Sequence, residues 1–315
     1  MAGMEEMNKL DSYTSDEPYS CNQEALPNVN LRHDGTGSEN AQNLVDQLTQ
    51  QKTMIVIGPT GVGKSTFCNV ISGRDPMDQS IFPVSDSGES VTNKTSGTEI
   101  EWRGSGGFPV TLIDTPGLSD SSEDDFKNIS GMLKELKKHS EIHVFVLTVN
   151  GTQLTFSKYF KDMMLIFQLC YGPQFLNKNT IIEVTNWSFD DASIKRREID
   201  EETLKQTINE ELKKVAPKLQ DQLEVIFVDA MHNTGNSKNH DHAKTRFKEE
   251  MDKLESFVTS VEPYSCNHEA FPGVNVLFQT ILPMINEKDE EIKRLRTENE
   301  NLKSGKKKKK NCIQQ

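Results

Sequence analysis

Met54–Asn69 reads MIVIGPTGVGKSTFCN, and this stretch decides the fold. Met54, Ile55, Val56 and Ile57 form a short apolar run of the kind a buried strand shows, and the residues after Lys64 suit a helix. In the loop between them, Gly58, Gly61, Gly63, Lys64 and Ser65 match the pattern GxxxxGK(S/T), with Pro59, Thr60 and Val62 at the intervening positions. Strand, glycine loop and helix in this order make a phosphate cradle: backbone N–H groups wrap the phosphates and the helix presents its positive end to them. The glycines permit positive φ and close approach, Lys64 supplies a point charge, the Ser65 hydroxyl can ligate Mg²⁺, and Thr66 begins the helix body.

Further along, Thr98–Trp102 and Val110–Ile113 predict strands around the turn GSGGFP, and the second strand runs into Asp114, Thr115, Pro116 and Gly117. A carboxylate at the end of an apolar strand, fifty positions after Lys64, is where a P-loop protein holds Mg²⁺, usually through water. Gly117 can offer its N–H to a terminal phosphate because no side chain blocks the approach. The polar stretch Pro76–Ser96 reads as a mobile loop able to supply a switch threonine, Thr92 first and Thr95 second. The catalytic expectation therefore falls on Lys64, Thr92 and Gly117, and the metal expectation on Ser65, Thr92 and Asp114.

The segment His143–Gly172, HVFVLTVNGTQLTFSKYFKDMMLIFQLCYG, completes a set with GPTGVGKST and DTPGL. From about Thr53 to about Phe278 the chain resembles the septin-like P-loop GTPases, and within them the immunity-associated nucleotide-binding (GIMAP or IAN, AIG-type) family. The resemblance implies an α/β P-loop GTPase domain with a mostly parallel central sheet flanked by helices. It also implies GTP or GDP and Mg²⁺ as ligands, and slow hydrolysis that depends on a homodimer or nucleotide-dependent oligomer. Such GTPases select guanine with an (N/T)KxD motif whose aspartate accepts two hydrogen bonds from the base. Here the strand Thr180–Thr185 runs into NWSFD, so Asn186 holds the first position, Trp187 replaces the lysine and Asp190 comes one residue late. Trp187 can cover the base with its ring, and Asp229, after the strand Glu224–Val228, stands where related GTPases place a base-contacting residue. Guanine is the expected base and adenine the alternative. Leu118 occupies the position where Ras-type enzymes carry a glutamine that orients water, which implies slow turnover.

Elsewhere in this region, Ile142–Val149 reads as a central strand. Phe156, Phe160, Met163, Met164 and Phe167 recur at helical spacing and read as core. Asp191–Leu219 reads as a charged helical insertion with a solvated face, and His232, His240 and His242 as exposed residues of a polar loop.

The flanks differ in composition. Residues 1–40 are polar, with too few large apolar side chains for a core, and read as disordered; 41–282 form the nucleotide domain, with Ala41–Gln51 a short leading helix. One segment recurs: Glu17–Asn30, EPYSCNQEALPNVN, returns as Glu262–Asn275, EPYSCNHEAFPGVN, identical at eleven of fourteen positions. Residues 283–303 predict one polar helix, with Ile285, Ile292, Leu295 and Leu302 on a and d positions and Asn299 at an a position, a coiled-coil pattern. Residues 304–315 end in Lys306–Lys310 and NCIQQ, which places Cys312 fourth from the terminus, as prenylation requires. Five lysines beside one lipid make the pair of signals that stable anchoring takes.

A net charge of −12 argues against a general nucleic-acid binder, and no apolar run reaches the roughly 18–20 residues of a membrane span. The five cysteines show no metal-ligand spacing, and the first residues lack a signal-peptide core. These readings imply a cytoplasmic protein, held at the cytosolic face of an anionic membrane if Cys312 carries its lipid.

Overall fold

In β1 (Lys52–Ile57), Met54 and Val56 point to one face and Ile55 and Ile57 to the other, and all four are fully buried. A strand covered on both sides cannot alternate with polar residues, which is why the sequence shows a continuous apolar run. The computed structural model describes residues 50–84, 95–117, 125–153, 155–172, 174–232, 240–265, 287, 290–291 and 294–299. The chain divides into two units, Met1–Val45 and Asp46–Gln315. The elements below belong to the second; the first lies outside the described residues.

After β1 come α1 (Lys64–Ile71), β2 (Ser96–Glu101), β3 (Pro109–Asp114), α2 (Asp125–Leu136), β4 (Glu141–Ile142), β5 (Val144–Asn150), α3 (Lys158–Tyr171) and α4 (Phe175–Lys178). Then follow β6 (Thr180–Thr185), α5 (Asp191–Arg196), α6 (Glu201–Val215), β7 (Glu224–Phe227), α7 (His240–Ser260) and β8 (Tyr264–Ser265). Six strands make one sheet in the order β2-β3-β1-β5-β6-β7. The pairs β3·β1, β1·β5, β5·β6 and β6·β7 are parallel, and only the edge strand β2 is antiparallel. This is the mostly parallel, helix-flanked sheet expected from the sequence.

Two apolar layers cover it. One gathers Ile55, Ile57, Phe145, Leu147 and Ile182 with Leu133 and Leu136 of α2, Phe160, Met163, Met164 and Phe167 of α3, and Leu204, Ile208 and Leu212 of α6. The other packs Met54, Val56, Val144, Val146 and Ile181 against Phe67 and Ile71 of α1 and Met251, Leu254 and Val258 of α7.

Three expectations change in the structure. The central strand expected over Ile142–Val149 breaks at His143, whose N–H donates to Thr53 O at 2.8 Å while its Nδ1 accepts from Thr53 N at 3.1 Å. The charged segment Asp191–Leu219 does more than face solvent. Its second helix, α6, buries Leu204, Ile208, Leu212 and Val215, a stripe at helical spacing that the many surrounding charges obscure in the sequence. His240 and His242 lie in the first turn of α7 rather than in a loop, and His232 stacks on Phe247 at 4.0 Å between ring centroids. Among the described residues, no His, Cys, Asp or Glu cluster of metal-binding size occurs and no helix is long and apolar enough to cross a membrane. Residues 294–299 are helical, with Leu295 51% exposed. The rest of the expected coil falls largely outside the described residues; the lysine run, Cys312, Thr92, Leu118 and the Glu17–Asn30 repeat lie wholly outside them.

Candidate functional site

The sheet delivers two motifs to one point. β1 and β3 are parallel neighbours with Val56 opposite Asp114, so the loop after β1 and the turn after β3 emerge side by side. Ser65, in the first turn of α1, donates its hydroxyl to Asp114 Oδ2 at 2.7 Å across forty-nine residues of sequence. Thr115 reinforces the junction by donating to Val56 O at 2.7 Å.

The loop is shaped by what it cannot hold. A Cβ on Gly58 would lie 2.5 Å from Thr148 O of β5, and Gly63 has φ 105°, a left-handed conformation that glycine alone adopts without strain. Gly117 is tighter still: a Cβ there would lie 2.2 Å from Thr60 Cα. The turn after β3 therefore seats its glycine directly on the loop after β1. From the far side, Thr185 donates to Val62 O at 2.6 Å and ties the loop to the end of β6.

Lys64 is buried and donates to Pro59 O at 2.8 Å, back across its own loop. Burial lowers its pKa to about 8 from the ordinary 10.5, against the opposing pull of the Asp114 charge. An ammonium held in this way gains from any anion placed over the loop.

A cavity of about 1090 Å³ runs from this loop to the end of β7. Of the residues expected to bind nucleotide, Thr60, Gly61, Val62, Gly63, Lys64, Ser65, Thr66, Gly117, Asn186, Trp187 and Asp229 line it. Gly58 and Pro59 shape the loop from behind, and Asp114 stands behind Ser65. The loop has the features a phosphate chain needs: a glycine-lined cradle, a buried ammonium and a hydroxyl–carboxylate pair beside it. For Mg²⁺ the donor set fits as well, since Ser65 and Asp114 bring hard oxygen ligands to one place. Thr95, the second switch candidate, is buried beside β2 with no partner for its hydroxyl among the described residues.

At the other end of the cavity the chain uses its side chains on itself. Asn186 adopts φ 55°, a conformation asparagine tolerates better than most residues. Trp187 is only 4% exposed, against Phe227 at 5.3 Å on one side and under the guanidinium of Arg197 at 3.9 Å on the other. Arg197 also donates to Ser188 O and lines the cavity. Asp190 caps α5, its Oδ1 accepting from Ala192 N at 2.9 Å and Ser193 N at 3.0 Å, and hydrogen bonding from Ser193, through its side chain first and its backbone second, draws its pKa down to about 2. Asp229 Oδ2 accepts from Ser188 Oγ at 2.9 Å and Phe189 N at 3.2 Å, fixing the turn after β6 from the end of β7. Of the two carboxylates near the expected base, Asp190 thus serves a helix end and Asp229 a loop that faces the cavity.

Three residues escaped the sequence reading. Asn69 of α1 donates from Nδ2 to Asp78 O at 2.9 Å and Phe82 O at 3.0 Å, and Phe82 is buried, so the start of the loop expected to be mobile is pinned. Glu183, in the middle of β6, is 1% exposed with neither carboxylate oxygen hydrogen-bonded among the described residues, and burial pushes its pKa well up. Arg197 belonged to a run read as solvated. A polar residue inside the apolar run TIIEVT was the one signal available for Glu183; for Asn69 and Arg197 the sequence offers none. Arg74 and Arg103 pair with Asp78 at 3.2 Å and Asp252 at 3.3 Å, in keeping with surface arginines.

The model of the AIG1 family matches residues 52–264. No curated protein sequence matches the chain. Among solved structures, Toc33 from Arabidopsis thaliana in complex with Mg²⁺ and GMPPNP is similar at 17% identity, over 72% of this chain and 96% of that one, with a TM-score of 0.50. Toc33 from the same plant with GDP and Mg²⁺ is similar at 18% identity, over 70% and 91%, with a TM-score of 0.49. At these identities the likeness is one of fold.

Proposed function

We propose that this chain, which belongs to the AIG1 family through residues 52–264, binds GTP and GDP with Mg²⁺ and hydrolyses GTP slowly. The observation that carries the reading is the Ser65–Asp114 hydrogen bond, which joins the phosphate loop to a carboxylate able to hold a metal beside it. The Toc33 structure of the same fold, solved with Mg²⁺ and GMPPNP, supports it.

In this reading the backbone N–H groups from Gly61 to Thr66 surround the phosphates, and Lys64 leaves Pro59 O to neutralise the outer ones. Ser65 and Asp114 hold Mg²⁺, with Thr92 joining from the switch loop. Held there, the metal would offset the negative charge that develops on the phosphates. Gly117 presents its N–H to the terminal phosphate from its seat on Thr60. Asp229 accepts from the base: a carboxylate offers about four lone-pair sites, and Ser188 and Phe189 use two. Trp187 is held beside the base by Arg197 and contributes an aromatic wall rather than a movable cover. Leu118 has no group to orient water, so the intrinsic rate is low and depends on pairing of two copies across the nucleotide face. The basic tail and a lipid on Cys312 place the protein at the cytosolic face of an anionic membrane, as a switch or scaffold.

Competition between GTP and ATP for one labelled nucleotide tests the base, and phosphate release measured across protein concentration tests the enzyme, with Lys64→Ala as the blank. ATP displacing as well as GTP would replace guanine by adenine. Release at the blank level at every concentration would leave a GTP-binding scaffold, the reading that Leu118 favours.

A further inference from the structure

The end of the domain farthest from the phosphate loop holds a docked peptide. After α7 the chain turns back, and Glu262–Ser265 runs beside β4: Tyr264 of β8 lies opposite Ile142 and Ser265 opposite Glu141, antiparallel. This ladder is two residues long and separate from the main sheet. Side chains secure it. The Tyr264 ring meets Phe145 edge-on at 6.4 Å and its hydroxyl donates to Tyr171 O. Asn179 Nδ2 donates to Glu262 O at 2.7 Å, and the Glu262 charge partly offsets the burial that lowers the Lys52 pKa. Lys52 opens β1, so the groove lies at the opposite end of that strand from the cradle and the inference is independent of the nucleotide reading.

Each of the four docked residues has a double. Glu262, Pro263, Tyr264 and Ser265 recur as Glu17, Pro18, Tyr19 and Ser20, and the identity extends upstream from Thr259–Ser260 to Thr14–Ser15. The groove reads its occupant through backbone hydrogen bonds and one tyrosine, and both segments carry that tyrosine in the same four-residue setting. We propose that this groove is an exchange site, for which Glu17–Ser20 competes with Glu262–Ser265. The two segments offer the groove the same four residues, so their relative occupancy follows from the effective concentration each linker sets rather than from contact energy. When Glu17–Ser20 occupies the groove, the chain from Glu262 onward, with its polar helix and basic tail, leaves the domain. Delivered by a second copy of the chain, the same segment makes a strand-exchanged dimer.

Cross-linking in the full-length chain tests this. In a background of Cys21→Ser and Cys266→Ser, Glu141→Cys is combined with Ser265→Cys, with Ser20→Cys, or with Ser12→Cys outside the repeat. Mild oxidation and peptide mass mapping read the disulfide. Directly opposed positions approach closely enough to bond, so Ser20→Cys is expected to cross-link within about tenfold of the Ser265→Cys yield and clearly above Ser12→Cys. Adding Tyr19→Ala lowers the Ser20→Cys yield at least about tenfold, whereas Tyr264→Ala raises it. A non-reducing gel assigns the bond to one chain or two. A Ser20→Cys yield no higher than Ser12→Cys, or one indifferent to Tyr19→Ala, overturns the proposal. The Tyr19→Ala arm leaves Tyr264 in place, so it does not depend on the survival of Tyr264→Ala.

Discussion

The two ends of the cavity are built on different principles. The phosphate end comes from one continuous stretch, Gly58–Thr66, held from outside by Asp114 on Ser65 and Thr185 on Val62 O. Its chemistry is mostly backbone, and its side chains wait on one another: Lys64 on Pro59 O, Ser65 on Asp114. The base end is assembled from the turn after β6, the start of the α5–α6 connection and the end of β7, and its side chains are spent on holding that assembly together. A backbone cradle survives almost any sequence around it. A side-chain pocket can be rebuilt by substitution, which is how the usual (N/T)KxD pattern can be lost while the strand beneath it remains.

The largest expected effect breaks the phosphate end alone. Lys64→Ala removes a buried ammonium that no other described residue replaces, and GTP affinity is expected to fall about 100-fold or more in titration calorimetry, with the fold intact by circular dichroism. Unchanged affinity would move the phosphates elsewhere in the cavity.

The same lysine gives the next effect through pH. Its pKa in the free protein is lowered to about 8, so it carries its charge at neutral pH and loses it as pH rises past that value. Nucleotide binding above about pH 8 then requires proton uptake, and Kd should rise by up to about tenfold per pH unit until the pKa of the bound form is reached. A flat profile from pH 7 to 9 in the same buffer series would mean that Lys64 does not meet the phosphates.

At the base end a smaller and more selective change is expected. Asp229→Asn keeps an acceptor for Ser188 and Phe189 but loses the charge a guanine edge would use, so the preference for GTP over ATP should drop about tenfold with little change in ATP affinity. Equal losses for both nucleotides would reduce Asp229 to a loop-holding role.

Glu183 lines the same cavity from the middle of β6. Its pKa is raised in the folded state above the ordinary 4.5, so its contribution to stability is most favourable below that value and is lost as pH rises through the folded pKa. Glu183→Gln removes the titration, and its stability relative to the parent should improve by about 1 kcal/mol or more between pH 5 and pH 8 in denaturant melts. A difference that does not vary with pH would mean the carboxyl keeps its ordinary titration.

Much of the sheet was legible because a strand buried on both faces leaves a signature that needs no partner: Met54–Ile57, Val110–Ile113 and Thr180–Thr185 all announce themselves. The buried stripe of α3 was legible for the related reason that Phe160, Met163, Met164 and Phe167 keep helical spacing. The stripe of α6 was hidden, because lysines and glutamates on three sides of a helix dominate its composition while four apolar residues on the fourth decide its place. His143 was hidden differently: a ring nitrogen that accepts from a neighbouring strand's backbone interrupts a strand without interrupting its hydrophobic run.

By itself, then, the sequence determined the glycine loop, the carboxylate expected beside it and the parallel sheet that carries both, because glycine spacing and two-sided burial are local properties of the chain. Only the tertiary structure decided what Asp190, Asp229, Trp187 and Arg197 do, and that Tyr264 and Ser265 pair with β4. Those outcomes depend on which side chain reaches a given donor, ring or strand edge first. That competition is settled among residues tens to hundreds of positions apart, and no local pattern records it.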